Sequence, residues 1–98
     1  MHFVLATEIG VTGARRTQIE QEIDRILKPY KFARRLNSFY VVHINSTTEW
    51  DIILSQLQNY SKSIPEGFYF IMSPIIQGGR YDGMLETGQW DFINEITK

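Results

Sequence analysis

The residues of this chain best able to do chemistry are one acid and two pairs of arginines. Glu8 closes a short apolar run, Arg15-Arg16 follow the glycines Gly10 and Gly13, and Arg34-Arg35 stand just ahead of Asn37-Ser38-Phe39-Tyr40. A carboxylate at a strand end can hold a hard cation such as Mg2+ or Mn2+, or move a proton. Two copies of Glu8 meeting near a dimer axis would raise an apparent pKa by like-charge repulsion. A strand-end acid that is simply solvated, or bonded to loop amides, fits the same letters. Loop amides, the positive end of a helix and the Arg15 and Arg16 guanidiniums would together form an anion site. Cations there oppose the helix dipole, at roughly a few tenths of a kcal/mol each, and two solvated arginines after a flexible turn are the plain alternative. Lys31 extends the second basic pair. Tyr30, Phe32 and Tyr40 could stack on bases, although aromatic residues in a small core usually serve packing.

Other chemistries are harder to build. The chain has no cysteine, so disulfides, thiolate catalysis and cysteine-based zinc sites are excluded. Its two histidines, His2 and His43, have no metal-ligand spacing. A lone histidine within a strand, as His43 is, is more often packed and hydrogen-bonded than catalytic. Serine, histidine and acid are all present, but without the strand-turn-helix glycine pattern of a nucleophile elbow. Gly78-Gly79-Arg80 could approach a phosphate, and a glycine-rich connection explains the same residues equally well.

Ninety-eight residues suffice for one sheet-plus-helix core and not for two. With a formal net charge of −1, any phosphate contact must come from local clusters and not from the global field. The first residues carry no positive segment and reach an acid at Glu8, unlike a signal peptide. No stretch approaches the roughly 20 apolar residues of a membrane span. The expectation is a cytoplasmic protein with no membrane partner.

The elements that must position these groups follow from the changing period of apolar residues. Residues 3–9 read as a strand apolar on both faces, which suits a central position. Residues 10–14 turn, and Ile19, Ile23, Ile26 and Leu27 mark one stripe of a helix over residues 15–28. Pro29 stops it. Residues 32–36 form a short strand whose Arg34 and Arg35 suit an exposed edge. Residues 39–45 form a third strand. Ser46 can cap the next helix with Glu49 three residues on, the capping-box arrangement. Trp50, Ile53, Leu54 and Leu57 give that helix its stripe, and Pro65-Glu66-Gly67 ends it. Residues 68–76 are a fourth strand of high β-propensity. After a glycine-rich loop, residues 84–86 could add a fifth strand. Thr87 can then cap a terminal helical segment, residues 89–96, with Trp90 and Ile93 inward.

Two strand-helix-strand units predict an α+β, ferredoxin-like split βαβ sandwich (β-α-β-β-α-β) with a short C-terminal extension, spanning residues 1–98 as a single domain. The expected strand order is 4-1-3-2 with both long helices on one face. The other face, with Val4 and Ala6, would lie open and apolar. Such a face is more than a monomer usually exposes, and a second copy of the chain is its simplest cover. A homodimer through sheet faces or the fourth-strand edge is therefore expected.

A first strand ending in an acid, a helix, and Ser38-Phe39-Tyr40 opening the third strand resemble the CRISPR-associated Cas-two-like nuclease subunits. The same plan is found in the VapD toxin ribonucleases and the SinR-like proteins. The ending Gly88-Gln89-Trp90-Asp91-Phe92-Ile93 looks most like the SinR-like branch. The resemblance implies a small dimeric protein associated with RNA or DNA, either a metal-dependent or a degenerate nuclease. Glu8 stands where Cas-two-like nucleases carry a metal-binding aspartate, so it would be the catalytic acid or the ligand of Mg2+ or Mn2+. Arg15, Arg16, Arg34 and Arg35 would bind phosphate. The alternative is a non-catalytic protein-interaction or regulatory module on the same scaffold. A small-molecule-binding dimer is a third class, resting on fold analogy alone.

Overall fold

The computed structural model describes residues 1–79, 81–86 and 88–97. These residues form an α+β fold with a four-stranded antiparallel sheet and three helices. In order these are β1 (His2–Ile9), α1 (Gly13–Leu27), β2 (Phe32–Arg35), β3 (Phe39–His43), α2 (Thr47–Lys62), β4 (Phe68–Met72) and α3 (Gln89–Ile96). The sheet order is β2-β3-β1-β4. The central strands β1 and β3 are thus the two whose letters are apolar on both faces. Among the described residues no helix is long and apolar enough to cross a membrane.

Register decides which side chains share a face. Pairing of Phe3 with Val42, Leu5 with Tyr40, Leu5 with Met72 and Ile9 with Phe68 puts these residues on one side of the sheet. Against them pack Ile19, Ile23, Ile26 and Leu27 of α1 and Ile53 and Leu57 of α2, forming the larger core. Pairing of His2 with His43, Val4 with Val41 and Ala6 with Phe39 builds the opposite face. There α3 lays Ile93 and Ile96 over Val41 and Ala33, with Val4, Phe39, Tyr81, Leu85 and Trp90 around them. The second face is therefore not left wholly open: the C-terminal segment covers its β2–β3 half. Tyr69 and Ile71 on β4, with Ala6 and Glu8 of β1, stay exposed on the other half.

Local chemistry fixes the joints. Ser46 caps α2, its Oγ accepting from the Glu49 amide at 3.2 Å. The Glu49 carboxylate reaches back to the Asn45 amide at 2.7 Å, so one short motif satisfies two backbone donors. Between β2 and β3, Leu36 and Asn37 both adopt left-handed backbone, at φ 56° and 63°. Asparagine tolerates that region, whereas leucine is strained there. The Arg34 Nε–H donating to the Asn37 carbonyl at 2.9 Å helps hold the turn. Gly10 sits so close to the α2–β4 connection that a Cβ would lie 2.2 Å from the Glu66 carbonyl oxygen. Its amide donates to the Gly67 carbonyl at 2.8 Å, which no side chain at position 10 would permit without a shift.

Several boundaries differ from those read off the letters. The second strand ends at Arg35 because Leu36 turns left-handed. The third ends at His43 and the fourth at Met72. Ser73 and Ile76 still bond β1 outside the regular ladder, donating to Val4 and His2 carbonyls at 2.8 Å each. Residues 84–86 form no fifth strand. Met84 is 90% exposed there, with no neighbouring strand to receive it. The expected cap at Thr87 and phosphate contact at Arg80 lie outside the described residues.

Candidate functional site

Alternation along β2 separates the second basic pair at once. Arg34 pairs with Tyr40 across the ladder and faces α1, whereas Arg35 pairs with Phe39 and faces the C-terminal segment. Arg34 Nη2 donates to Glu20 Oε2, and Arg16 Nε donates to Oε1 of the same carboxylate at 3.3 Å. Glu20 is one turn beyond Arg16 on α1, the spacing at which helix side chains meet. One acid thus draws together Arg16 and Arg34. Arg15 turns elsewhere, its Nε 2.7 Å from Glu66 Oε2 in the α2–β4 connection. The hydrogen bond from Arg15 holds the Glu66 carboxyl below its ordinary range, and the same bond raises the guanidinium.

Three of the four expected phosphate ligands are therefore tied to the chain's own carboxylates, on two separate patches. Arg35 differs. Its Nη1 donates to the Arg34 carbonyl at 2.7 Å, and its Nε is sealed from solvent with no acceptor. Among the described residues Arg35 is the only arginine without a carboxylate partner.

Glu8 is exposed on the bare half of the second face, opposite Tyr69 across the β1–β4 ladder. Its side chain makes no ion pair with any described residue. Among the described residues no three histidine, aspartate or glutamate side chains come together as a metal site would require. Glu8 and the arginines do not converge: Arg16 and Arg34 are on the helix-covered side of the sheet, and Glu8 is on the other.

Two polar groups near α1 carry unusual protonation energetics. Burial pushes the Tyr40 hydroxyl up to about 12, with the nearby Asp24 carboxylate adding to the effect. Asp24 is itself raised by burial, and its Oδ1 has no hydrogen-bond partner. On the opposite face, His2 is fully buried, and its Nε2 shares a 2.6 Å hydrogen bond with the Tyr81 hydroxyl. Burial, the N-terminal ammonium and His43 lower its pKa. His43 Nδ1–H donates to the Ile96 carbonyl at 3.0 Å. His43 is thus the packed, hydrogen-bonded residue expected of a strand histidine, and the two imidazoles fasten the C-terminal segment to β1 and β3.

A cavity of about 190 Å³ lies between the β2–β3 turn and the C-terminal segment. Arg35, Phe39, Val41, Leu85, Trp90 and Ile93 line it. Trp90 and Ile93 were legible as inward-facing helix residues, but nothing local in the sequence joins them to Arg35. Of the arginine partners, Glu20 was readable from its i+4 spacing, whereas Glu66 is 51 residues from Arg15 and left no signal. Comparison of the chain with protein-family models, curated proteins and solved structures found no match.

Proposed function

We propose that this chain is a self-associating, non-catalytic interaction module on a ferredoxin-like scaffold, joined to a second copy through β4. The sheet order read from the β4 edge, 4-1-3-2, supports that scaffold. The observation that carries the function is the state of β4 itself. It is an edge strand with sequence Phe-Tyr-Phe-Ile-Met, in which Tyr69 is 64% and Ile71 74% exposed. It has no charge, proline or bulge of the kind that blunts an edge. Trp50, Leu54, Phe70 and Met72 line a shallow groove beside it, so the apolar surface continues from the sheet onto α2. Antiparallel pairing of two β4 strands would remove both edges by one two-fold operation. Sedimentation equilibrium should show a dimer at micromolar concentration, and Ile71→Lys should give a monomer with an almost unchanged melting temperature. A wild-type chain that stays monomeric across that range would overturn the proposal.

A second reading, the nucleic-acid-associated Cas-two-like or SinR-like protein, is favoured by the position of Glu8. It shares the bare face with Tyr69, so β4 pairing would put the two Glu8 carboxylates on one continuous face, three strand spacings or roughly 14 Å apart, each holding its own cation. With Mg2+ or Mn2+ such a pair could act on RNA or DNA. Cleavage by the wild type that is lost in Glu8→Gln, with binding retained, would establish this reading, because the amide keeps the shape and removes the charge a hard cation needs. Salt-sensitive binding without cleavage would leave a nucleic-acid-binding module. In that case Arg15→Ala with Arg16→Ala should reduce the log–log salt slope by about one per lost phosphate contact. The non-catalytic module ranks first because Glu8 stands alone, whereas a two-metal site needs several acids.

A further inference from the structure

We propose that the cavity beneath the C-terminal segment is a binding site for a small planar aromatic monocarboxylate, held by Arg35. Size argues first. At about 190 Å³ the space is comparable to the apolar cavity of about 150 Å³ known to admit benzene. It is well below the roughly 300–1,000 Å³ typical of drug-sized pockets, which restricts the occupant to about one ring.

The lining supplies the class. Phe39 and Trp90 offer aromatic surfaces, for which offset or edge-on ring contact is favourable. Val41, Leu85 and Ile93 complete an apolar wall. Arg35 is the exception, and it is the one described arginine with no ion pair to a carboxylate of a described residue. The sealed Nε is out of a ligand's reach, so a guanidinium facing this apolar space must meet an anion at its Nη edge. Its Nη1 bond to the Arg34 carbonyl fixes one side of the fork. A ligand carboxylate would supply the charge-assisted, two-point contact that guanidinium geometry matches best.

Entry is built in. Residues 81–85 form one wall without belonging to a strand or helix, so moving them breaks no sheet ladder. Leu36 and Met84, 72% and 90% exposed, stand at the margin as apolar surface with no cover. The site is at the β2 side of the sheet, away from the β4 edge, so its occupancy does not depend on self-association.

The test is a methyl NMR titration of the full chain with 3-phenylpropionate, its neutral amide, and acetate. The acid should give saturable shifts at Val41, Leu85 and Ile93 and none at Ile71, with the amide and acetate at least about tenfold weaker. Arg35→Met and Arg35→Gln, checked for native circular dichroism, should abolish the preference for acid over amide. Absence of saturable shifts at millimolar acid would overturn the proposal. So would equal affinity for acid and amide that survives both Arg35 substitutions, which would leave only an unselective apolar void.

Discussion

The two faces of the sheet are covered in different ways, and the contrast explains most of what the molecule can do. On one face, α1 and α2, of 15 and 16 residues, seal a core in which Phe3, Leu5, Ile23, Ile53 and Leu57 have no exposure. On the other, α3 has only 8 residues and covers the β2–β3 half. Long amphipathic helices lay an apolar stripe along the length of the sheet, and a two-turn helix cannot span the same distance. The short cover is instead fastened by polar contacts, His2 with Tyr81 and His43 with the Ile96 carbonyl. Its incompleteness leaves two usable features: the cavity beside Arg35 and the bare strip along β4. The larger core is on one side, and the features on which both proposals rest are on the other.

The largest test of that contrast is Val42→Asp, which puts a charge into the helix-covered core at a residue with no exposure. It should cost more than about 4 kcal/mol and prevent folding at ordinary temperature, as read by chemical denaturation. A cooperative native unfolding transition would contradict the register assigned to β3. Next comes Ile93→Ala on the buried face of α3, expected to cost about 2 kcal/mol, at the low end for a buried aliphatic truncation. Hydrogen exchange should then accelerate in α3 more than in α1. Uniform acceleration in both would mean that the two covers unfold as one unit.

The polar fastening of α3 makes a pH prediction with a defined sign. His2 binds protons less readily in the fold than its ordinary value of 6.5, so the unfolded chain takes up the proton first on acidification. The stability it contributes is therefore complete above pH 6.5 and is lost as pH falls through the lower folded-state value. Denaturant midpoints of the wild type should drop across that window, and His2→Gln should flatten the slope. An identical slope in the variant would remove His2 as its source. The smallest effect is expected at Asp24, raised by burial and lacking a partner for Oδ1. Its charged form is penalised above the folded-state value, and relief comes as pH falls toward the ordinary 3.8. Asp24→Asn should accordingly stabilise slightly at neutral pH and leave acid stability nearly unchanged, measured by the same midpoints.

Much of the scaffold was legible because its determinants are local. The stripe Ile19, Ile23, Ile26 and Leu27 is the buried face of α1, and Ser46 with Glu49 caps α2 as their three-residue spacing implies. Residue period also foretold that β1 and β3 would be central. The candidate site was less legible. The arginines read as two basic pairs because each pair adjoins in sequence, but strand alternation turns Arg34 and Arg35 to opposite faces. Arg15 then finds an acid supplied by a distant turn.

What the sequence alone determined, then, is the set of elements and their apolar faces, since helix and strand periods, caps and turn residues act over a few positions. It also determined that cysteine chemistry is absent. Only the tertiary structure decided which charges are neutralised, that the C-terminal segment covers half of the second face, and that Arg35 borders a cavity with no ion pair among the described residues. Those outcomes depend on which distant side chains arrive at the same place, and packing of whole elements, not residue spacing, sets that.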